Sequence, residues 1–274
     1  MEDVPQEITE QIINHLHDRH DLKSCALVCK AWIPASRYHL FHSIRIGFIH
    51  NSPKRALNPL IQLLDNPHCT FSGHVRRLEV WSKQNPAYDR WLDPLVPHLT
   101  KLSSVTSLLC GAGGPLTIKP WSSLLSVQQF ADQITDLTLY NPLFRNFDDY
   151  LGSISAFPSL VTLECAQYIN HQKNPIFEDD RTYAKPAPTP LRVLKLSPAS
   201  GYTISLHCTQ LTITLPMVSW LLQSRVVLHT FKLGRLHKIP SAVNFTILLS
   251  YLQFLGSSLQ VFHVEFIEAE DICA

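Results

Sequence analysis

A six-residue pattern, apolar-x-x-Leu/Phe-x-apolar, recurs seven times between residues 75 and 264 and constrains the fold more than any other feature. The copies begin at Val75, Val105, Ile134, Leu160, Leu191, Leu228 and Leu259. Their spacing of about 26 to 37 residues is the length of one supersecondary unit in a solenoid. The last two apolar positions of each copy are two residues apart, so both face one side of a strand. The pattern therefore predicts one buried strand per repeat.

Segments of helical character separate these copies, and the sequence predicts helices at 90–102, 121–133, 144–157, 216–224 and 244–255. A strand that alternates with a helix implies right-handed crossovers and a parallel sheet. We therefore expect an α/β solenoid, with a different α/β layout as the alternative. Two intervals break the regularity. Residues 203–215 alternate with period two and predict one or two extra strands, whereas the proline-rich and charged residues 170–190 predict an exposed loop.

The N-terminal 46 residues precede the first copy and predict three short helices. The first has Asp3 as a candidate cap and Pro5 in its first turn. The second runs from residue 22 to about residue 31, with Asp21 as its candidate cap, and the third follows Pro34. Beyond them we expect a short extended exit at 44–48, a turn at 53–59 and a short helix at 60–64.

The second of these helices is apolar nearly all round. Its apolar residues are Leu22, Cys25, Ala26, Leu27, Val28, Cys29, Ala31 and Trp32. Such a helix expects burial on every side, and a unit of about 45 residues is too small to provide it. Either the rest of the chain covers the remaining surface or another protein does. A plain helical cap on a larger core stays open at this point.

The residues of this segment resemble an F-box, in the divergent form common in fungal proteins. The matching positions are Val4-Pro5-x-Glu7-Ile8, Asp21-Leu22, Leu27-Val28-Cys29-Lys30-x-Trp32 and Leu40-Phe41, with Val4 where the family usually has Leu. The resemblance implies a three-helix docking element for the Skp adaptor of a cullin–RING ubiquitin ligase. The adaptor-binding residues that it implies are Val4, Pro5, Ile8, Leu27, Val28, Cys29 and Trp32.

The repeated pattern is similar to irregular leucine-rich repeats, which F-box proteins often carry. No copy keeps the closing Asn or Cys of the repeat consensus at its usual place, and Asn141 comes one residue early. The predicted fold is thus an N-terminal three-helix F-box followed by an irregular leucine-rich-repeat solenoid with a curved parallel sheet. The predicted divisions are an F-box at 1–46, a connecting segment at 47–74 and repeats at 75–274.

Composition favours an intracellular globular protein. A net charge of +1 argues against a nucleic-acid-binding surface, which normally needs a basic excess. Seven cysteines at irregular spacing, with no signal peptide, predict reduced thiols and a location in the cytoplasm, the nucleus or both. Residues 241–264 carry no charge and are long enough to span a membrane, but their polar residues and glycine-serine break favour a buried helix, turn and strand.

The sequence offers no reaction centre, and we expect no catalytic residue, metal or cofactor. His15, His17 and His20 do not share a helix face, so solvated side chains are favoured over a metal site. Cys25 and Cys29 are one turn apart but lack a second ligand pair, which favours core thiols. Residues 111–115 are glycine-rich but lack the ending of a phosphate loop and predict a turn. A hydrolase with an unrecognised site is the least favoured alternative.

The outward positions of the predicted strands form a candidate substrate-binding surface. Its residues are Arg77, Glu79, Trp81, Asp136, Tyr140, Glu164, Lys195, Lys232, His263 and Glu265. Their mixed charge favours a protein partner over a polyanion. The leading hypothesis is a substrate-receptor subunit of an SCF-type ligase, with a Skp-type adaptor, cullin and RING subunits and an unidentified protein substrate as partners. The alternative is a repeat scaffold capped by the N-terminal helices, which would hide Pro5, Ile8 and Val28.

Overall fold

The computed structural model describes residues 5–16, 18–47, 54–82, 91–112, 124–140, 147–167, 186–198, 210–236 and 242–266. Its α-helices are α1 Gln6–Asn14, α2 Arg19–Val28, α3 Ile33–Phe41, α4 Lys54–Asp65, α5 Gln128–Gln133, α6 Phe147–Ser155, α7 Gln210–Gln223 and α8 Ala242–Leu255. Its 3-10 segments are Lys30–Trp32, Ser72–His74, Asp93–Lys101 and Gly256–Ser258. Its strands are β1 Ser43–Gly47, β2 Arg77–Ser82, β3 Ser107–Ala112, β4 Asp136–Tyr140, β5 Thr162–Gln167, β6 Val193–Pro198, β7 Thr230–Leu236 and β8 Val261–Phe266.

The eight strands form one open sheet in which every neighbouring pair is parallel and the strand order is the chain order. In the described residues a helical segment lies in every interval between successive strands except the one between β5 and β6, as crossovers between parallel strands require. This arrangement is solenoid-like, because each strand pairs only with the strands of the preceding and following repeats. The predicted α/β class, with helices at the N-terminus and a parallel sheet after them, is confirmed.

A ladder of backbone hydrogen bonds holds the repeats in register just before each strand. The N–H of Thr106 donates to the carbonyl oxygen of Arg76 at 3.0 Å, and that of Thr135 donates to Thr106 at 2.9 Å. Both donors are the second residue of their copy of the pattern. The same bond recurs through every later copy, ending with Gln260 N–H to the His229 oxygen at 2.9 Å. Each repeat is therefore fixed to its predecessor by equivalent atoms.

The core is built from the fourth and sixth residues of the pattern. The fourth-position residues Leu78, Leu108, Leu137, Leu163, Leu194 and Phe231 pair along the sheet and are only 0–1 % exposed. Phe262 holds the same position in the edge strand β8 and is 44 % exposed. Fourth-position side chains are thus buried completely in the six strands that have a neighbouring strand on both sides.

Strand β1 is an eighth copy of the pattern that sequence reasoning missed. Its residues read Phe41-x-x-Ile44-x-Ile46, and Ile replaces the Leu or Phe that the pattern required at the fourth position. The ladder confirms the equivalence, because Arg76 N–H donates to the His42 oxygen at 2.9 Å. The predicted exit strand is therefore part of the sheet. The divisions at 1–46, 47–74 and 75–274 stay a prediction, but the sheet itself begins at Ser43.

The N-terminal helices are shifted from their predicted ends. Pro5 is the N-cap residue of α1 rather than part of its first turn, and Asp3 lies outside the described residues. Helix α2 begins at Arg19, because the Asp18 carboxylate accepts the backbone N–H of His20 at 2.5 Å. Asp21 therefore lies inside the helix and is not its cap. The helix ends at Val28, since the following residue has extended backbone angles.

Several connecting segments also differ from their predicted form. Pro59 lies inside α4, which spans the predicted turn as well as the predicted short helix. The predicted helix at 90–102 is a 3-10 segment containing Pro97, whose missing N–H is incompatible with regular α-helix. The helix expected at 121–133 is interrupted, since residues 124–125 are helical, a turn follows, and α5 begins at Gln128.

The two irregular intervals correct the sequence reasoning further. Residues 211–215, expected as a strand, belong to α7, and residues 203–209 lie outside the described ranges. The described end of the proline-rich segment packs instead of forming an exposed loop. Ala187 is buried and its N–H donates to Ser224 Oγ at 3.0 Å, while the Pro186 carbonyl accepts from Ser155 Oγ at 2.8 Å.

The uncharged stretch 241–264 forms α8, a 3-10 turn and β8, as predicted. Within the described parts of the chain, no helix combines the length and the apolar composition needed to cross a membrane.

Gly47 tests the pairing of β1 with β2. It has φ +130° and faces Trp81 in the register, where an added Cβ would overlap the Trp81 carbonyl oxygen. We expect Gly47→Ala to lower the free energy of unfolding by at least about 1–3 kcal/mol, the usual cost of a strained backbone conformation. Gly73→Ala is the matched control, because nothing lies within 4 Å of its added Cβ. Urea unfolding of both variants measures the difference, and equal stability would contradict the close approach.

Candidate protein-docking surfaces

The three N-terminal helices bury little of their apolar surface. Ile13 and Leu22 are buried, whereas large apolar side chains at the end of α2 point into solvent. Leu27 is 87 % exposed and Val28 is 63 % exposed. Ile8 and other apolar residues of α1 are about half exposed as well. The sheet does not cover this surface, so the apolar excess inferred from the sequence is present in the structure.

The predicted adaptor-binding residues lie mainly on this exposed surface. Pro5, Ile8, Leu27, Val28 and Cys29 are exposed, and Trp32 is half-buried. Val4 lies outside the described residues. Their binding of an adaptor stays a prediction.

The cysteines divide into exposed and buried thiols, which corrects the expectation of two core thiols in α2. Cys29 is exposed and Cys25 is half-buried. Cys110 and Cys165 are buried in strands β3 and β5. Burial raises the pKa of the Cys165 thiol to about 12, although a contact of 2.8 Å between its Sγ and the Tyr150 hydroxyl partly opposes the shift. Burial also raises the pKa of the Cys110 thiol.

The second candidate surface is the sheet face opposite the core, here called the outer face. Of the predicted substrate-binding residues, Arg77, Trp81, Asp136, Tyr140, Glu164 and Lys195 are half-buried, Lys232 and His263 are exposed, and Glu79 is buried. The backbone of Glu265 lies in β8, but its side chain is outside the described part of the structure. The register brings the fifth residues of the pattern into one row: Arg45, Glu79, Leu109, Thr138, Glu164, Lys195, Lys232 and His263.

Glu79 is not the open surface residue that its position in the pattern predicted. Arg45 Nε donates to its Oε2 at 2.6 Å, and Arg77 Nε lies 3.2 Å from its Oε1 without hydrogen-bond geometry. A carboxylate is tolerated at such depth when cations compensate its lost hydration. Arg45 was missing from the predicted site because β1 had not been recognised as a repeat strand. An apolar-x-x-Ile-x-apolar pattern would have found it.

An aromatic pair occupies the row nearest the carboxyl ends of the strands. The ring centroids of Trp81 in β2 and Tyr140 in β4 are 5.9 Å apart. Gly111 in β3 lies between them in the register, and a Cβ added there would be 2.6 Å from the Trp81 ring. The guanidinium carbon of Arg45 lies 5.6 Å from the Trp81 ring centroid. The predicted turn at 111–115 is therefore corrected at its start, since Gly111 is a strand residue that makes room for an indole.

The remaining charges of the outer face are two carboxylates on β4 and β5 followed by two lysines on β6 and β7. Asp136 accepts a hydrogen bond from Thr135 Oγ1 at 2.7 Å. Glu164 Oε2 lies 3.8 Å from Lys195 Nζ, and the exposed Lys232 follows in the next strand. The face thus presents both signs of charge across its width. Nowhere in the described ranges do three or more His, Cys, Asp or Glu side chains come together as metal ligands would.

Comparison with known families identifies the N-terminal unit. Residues 1–45, about one sixth of the chain, match the family described as F-box-like. No curated protein sequence matches the chain. F-box domains bind Skp-type adaptors in general, and F-box proteins are generally adaptors rather than enzymes. The match supports an F-box protein with a general role in SCF-type adaptor function. It ends inside β1, so it overlaps the first repeat.

Thiol reactivity tests the difference in exposure between Cys29 and the two buried cysteines, Cys110 and Cys165. In the native protein we expect iodoacetamide to modify Cys29 at least about tenfold faster than Cys110 or Cys165, because a buried thiol with a raised pKa stays protonated and inaccessible at neutral pH. Peptide mass spectrometry after brief labelling measures the three rates. Labelling in urea is the control and should remove the difference. Equal rates for Cys29 and Cys165 in the folded protein would contradict the burial.

Proposed function

We propose that the protein is the substrate-receptor subunit of an SCF-type cullin–RING ubiquitin ligase. Its N-terminal helices dock a Skp-type adaptor, which connects the chain to cullin and RING subunits, and the outer face of the sheet binds a protein substrate. The chain itself makes and breaks no bond. It acts by proximity, because holding a substrate lysine near a charged conjugating enzyme raises its effective concentration.

The observation that carries this proposal is the exposed apolar surface of the unit that matches the F-box-like family. Leu27 and Val28 at the end of α2 are exposed to water, although burying one such side chain completely is worth about 1.5–3 kcal/mol. Ile8 adds a half-exposed side chain from α1. Burial of this surface by an adaptor subunit would recover that free energy. The predicted contact residues are the exposed Pro5, Ile8, Leu27, Val28 and Cys29, together with Val4 and Trp32.

We further propose that the open parallel sheet is an irregular leucine-rich-repeat array of the kind that fungal F-box proteins carry. Its support is the eight strands in chain order and the recurring ladder of backbone hydrogen bonds. Marking a bound substrate for ubiquitin-dependent degradation would be the consequence. The free cysteines of the described residues suit the reducing cytoplasm or nucleus in which such a ligase acts.

A repeat scaffold without ligase function is the alternative, and two ring contacts favour it. Helix α3 caps the start of the sheet. The stacked rings of Phe41 and Phe71 have centroids 4.9 Å apart, and the Tyr38 ring meets the His74 ring edge-on at 6.3 Å between centroids. A cap of this kind needs α3 alone. Pro5, Ile8 and Val28 remain exposed on the other helices, which a cap would have hidden. This exposure favours docking to a second protein.

A charge placed on the exposed end of α2 tests the docking. We expect Leu27→Asp to weaken binding of a purified Skp-type adaptor at least about tenfold, because the adaptor would have to desolvate a carboxylate in an apolar contact. Val28→Asp should act in the same direction. Isothermal titration calorimetry with the full chain measures both affinities.

Leu63→Asp is the matched control, because Leu63 is a half-exposed leucine on α4 outside the F-box-like match. Its adaptor affinity should stay within about twofold of wild type, as expected for a surface substitution away from the contact. Equal adaptor affinity of the Leu27→Asp and wild-type chains would contradict docking at the end of α2. If the wild-type chain bound no Skp-type adaptor, the ligase role would be wrong and the repeat scaffold would be favoured.

A further inference from the structure

We propose that the outer face binds an acidic segment of a partner protein, with a carboxylate on Arg45 and Arg77 and a neighbouring apolar side chain on Trp81 and Tyr140. These two rings are called the aromatic platform below. The proposal deepens the proposed function, on which it rests for the statement that the partner is the ligase substrate. It names the chemical class of that substrate segment and adds Arg45 to the site.

The platform is preorganised before any partner arrives. Trp81 is placed by Tyr140 on one side, at 5.9 Å between ring centroids, and by the Arg45 guanidinium at 5.6 Å. Gly111 leaves the space into which the indole leans, since any Cβ there would meet the ring at 2.6 Å. Rigid, half-buried aromatic side chains lose little conformational entropy on binding and are enriched among the residues that dominate binding energies.

The two arginines keep hydrogen-bond donors available for a partner. Glu79 engages the Nε atoms, with Arg45 Nε at 2.6 Å from Oε2 and Arg77 Nε at 3.2 Å from Oε1. Among the described residues, no acceptor contacts the terminal guanidinium nitrogens of either arginine. Five donors in a planar fork allow one guanidinium to hold two carboxylates through different edges. A second carboxylate on Arg45 would lie beside the Trp81 ring.

The charge that a partner meets at this end of the face is positive. The side chains of Arg45 and Arg77 are 56 % and 39 % exposed, whereas that of Glu79 is 11 % exposed. The carboxylate fixes the two cations from below and contributes little to the accessible surface. Charge complementarity therefore selects an anionic group next to the apolar one.

The opposite half of the face excludes a long polyanion. Asp136 and Glu164 lie on β4 and β5, and adjacent strands are about 4.8 Å apart, so both residues lie within about 15 Å of Arg77 and within about 20 Å of Arg45. A nucleic-acid strand following the aromatic platform across the sheet would meet them. A short acidic segment of a protein satisfies the arginines without reaching the carboxylates.

The site also lies at a fixed position relative to the docking helices. Only His42 separates the end of α3 at Phe41 from the start of β1 at Ser43. The backbone of His42 is itself bound, because its oxygen accepts the N–H of Arg76 at 2.9 Å. A segment held on Arg45 is therefore placed next to the adaptor-docking unit, with no flexible linker between the two.

Fluorescence anisotropy of the full chain with four labelled probes tests the proposal. The probes are a glutamate-rich peptide containing Leu and Trp, the same peptide with Lys for Glu, the same peptide with Ala for Leu and Trp, and an oligouridine RNA. We expect the first probe to bind at least about tenfold tighter than the other three, with an affinity that falls as salt is raised. Tighter binding of the RNA, or no preference among the peptides, would overturn the proposal.

Variants assign the binding to the named residues. We expect Arg45→Gln and Tyr140→Ala each to weaken the first probe about tenfold, and Tyr140→Phe to keep it, because the ring rather than the hydroxyl forms the platform. Lys232→Gln is the matched control, since it removes an exposed cation from the far end of the same face and should change affinity less than about twofold. Thermal unfolding confirms that each variant is folded. Unchanged affinity in folded Arg45→Gln and Tyr140→Ala would overturn the assignment.

Adaptor titration of the same variants separates the two proposals. We expect Arg45→Gln to bind the Skp-type adaptor as the wild type does, because its side chain belongs to the outer face of the sheet. Probe discrimination without adaptor binding would support this site and remove the ligase role. Adaptor binding without probe discrimination would overturn this site alone.

Discussion

The ladder of hydrogen bonds that precedes each strand is the interaction on which the rest of the structure depends. It ties the second residue of every repeat to the second residue of the repeat before it, and its first acceptor is His42 at the end of the N-terminal helices. Side-chain burial follows from it, because a register that aligns these residues also aligns the fourth-position leucines. Loss of alignment by one residue would turn those leucines to the opposite face. The helical unit and the sheet are thus one stacked structure with no linker at their junction.

The features that sequence reasoning found are those that burial enforces at a fixed spacing. Leu78 and its equivalents had to recur, since each fills the core between two repeats. The exposed apolar surface at the end of α2 was also predictable, because three short helices cannot bury all of their apolar side chains, and Leu27 and Val28 are left exposed. Strand β1 was missed because Ile44, which is half-buried, stands where the pattern required Leu or Phe. The strand prediction at 211–215 was wrong, since these residues lie in α7 and a short run of alternating apolar residues suits either a strand or a helix.

The burial of Glu79 could not be predicted from the spacing of residues in the sequence, for a different reason. Its burial depends on Arg45, which is far away in the chain and reaches it only through the pairing of β1 with β2. The exposed surface of the N-terminal helices and the outer face of the sheet therefore differ in the interactions that they offer. The first offers apolar area whose contribution is insensitive to salt, and the second offers guanidinium donors whose attraction is screened by salt.

Gly111 shows how the sheet accommodates such a site without a large loss of stability. A glycine inside a strand is unfavourable by roughly 0.5–1 kcal/mol relative to alanine. The aromatic pair that it permits is worth about 0.5–1.5 kcal/mol beyond the area that it buries. The two effects nearly cancel, so folding alone gives little reason for a glycine at this position. What it yields is room for an indole over a neighbouring strand, between a guanidinium and a phenol ring.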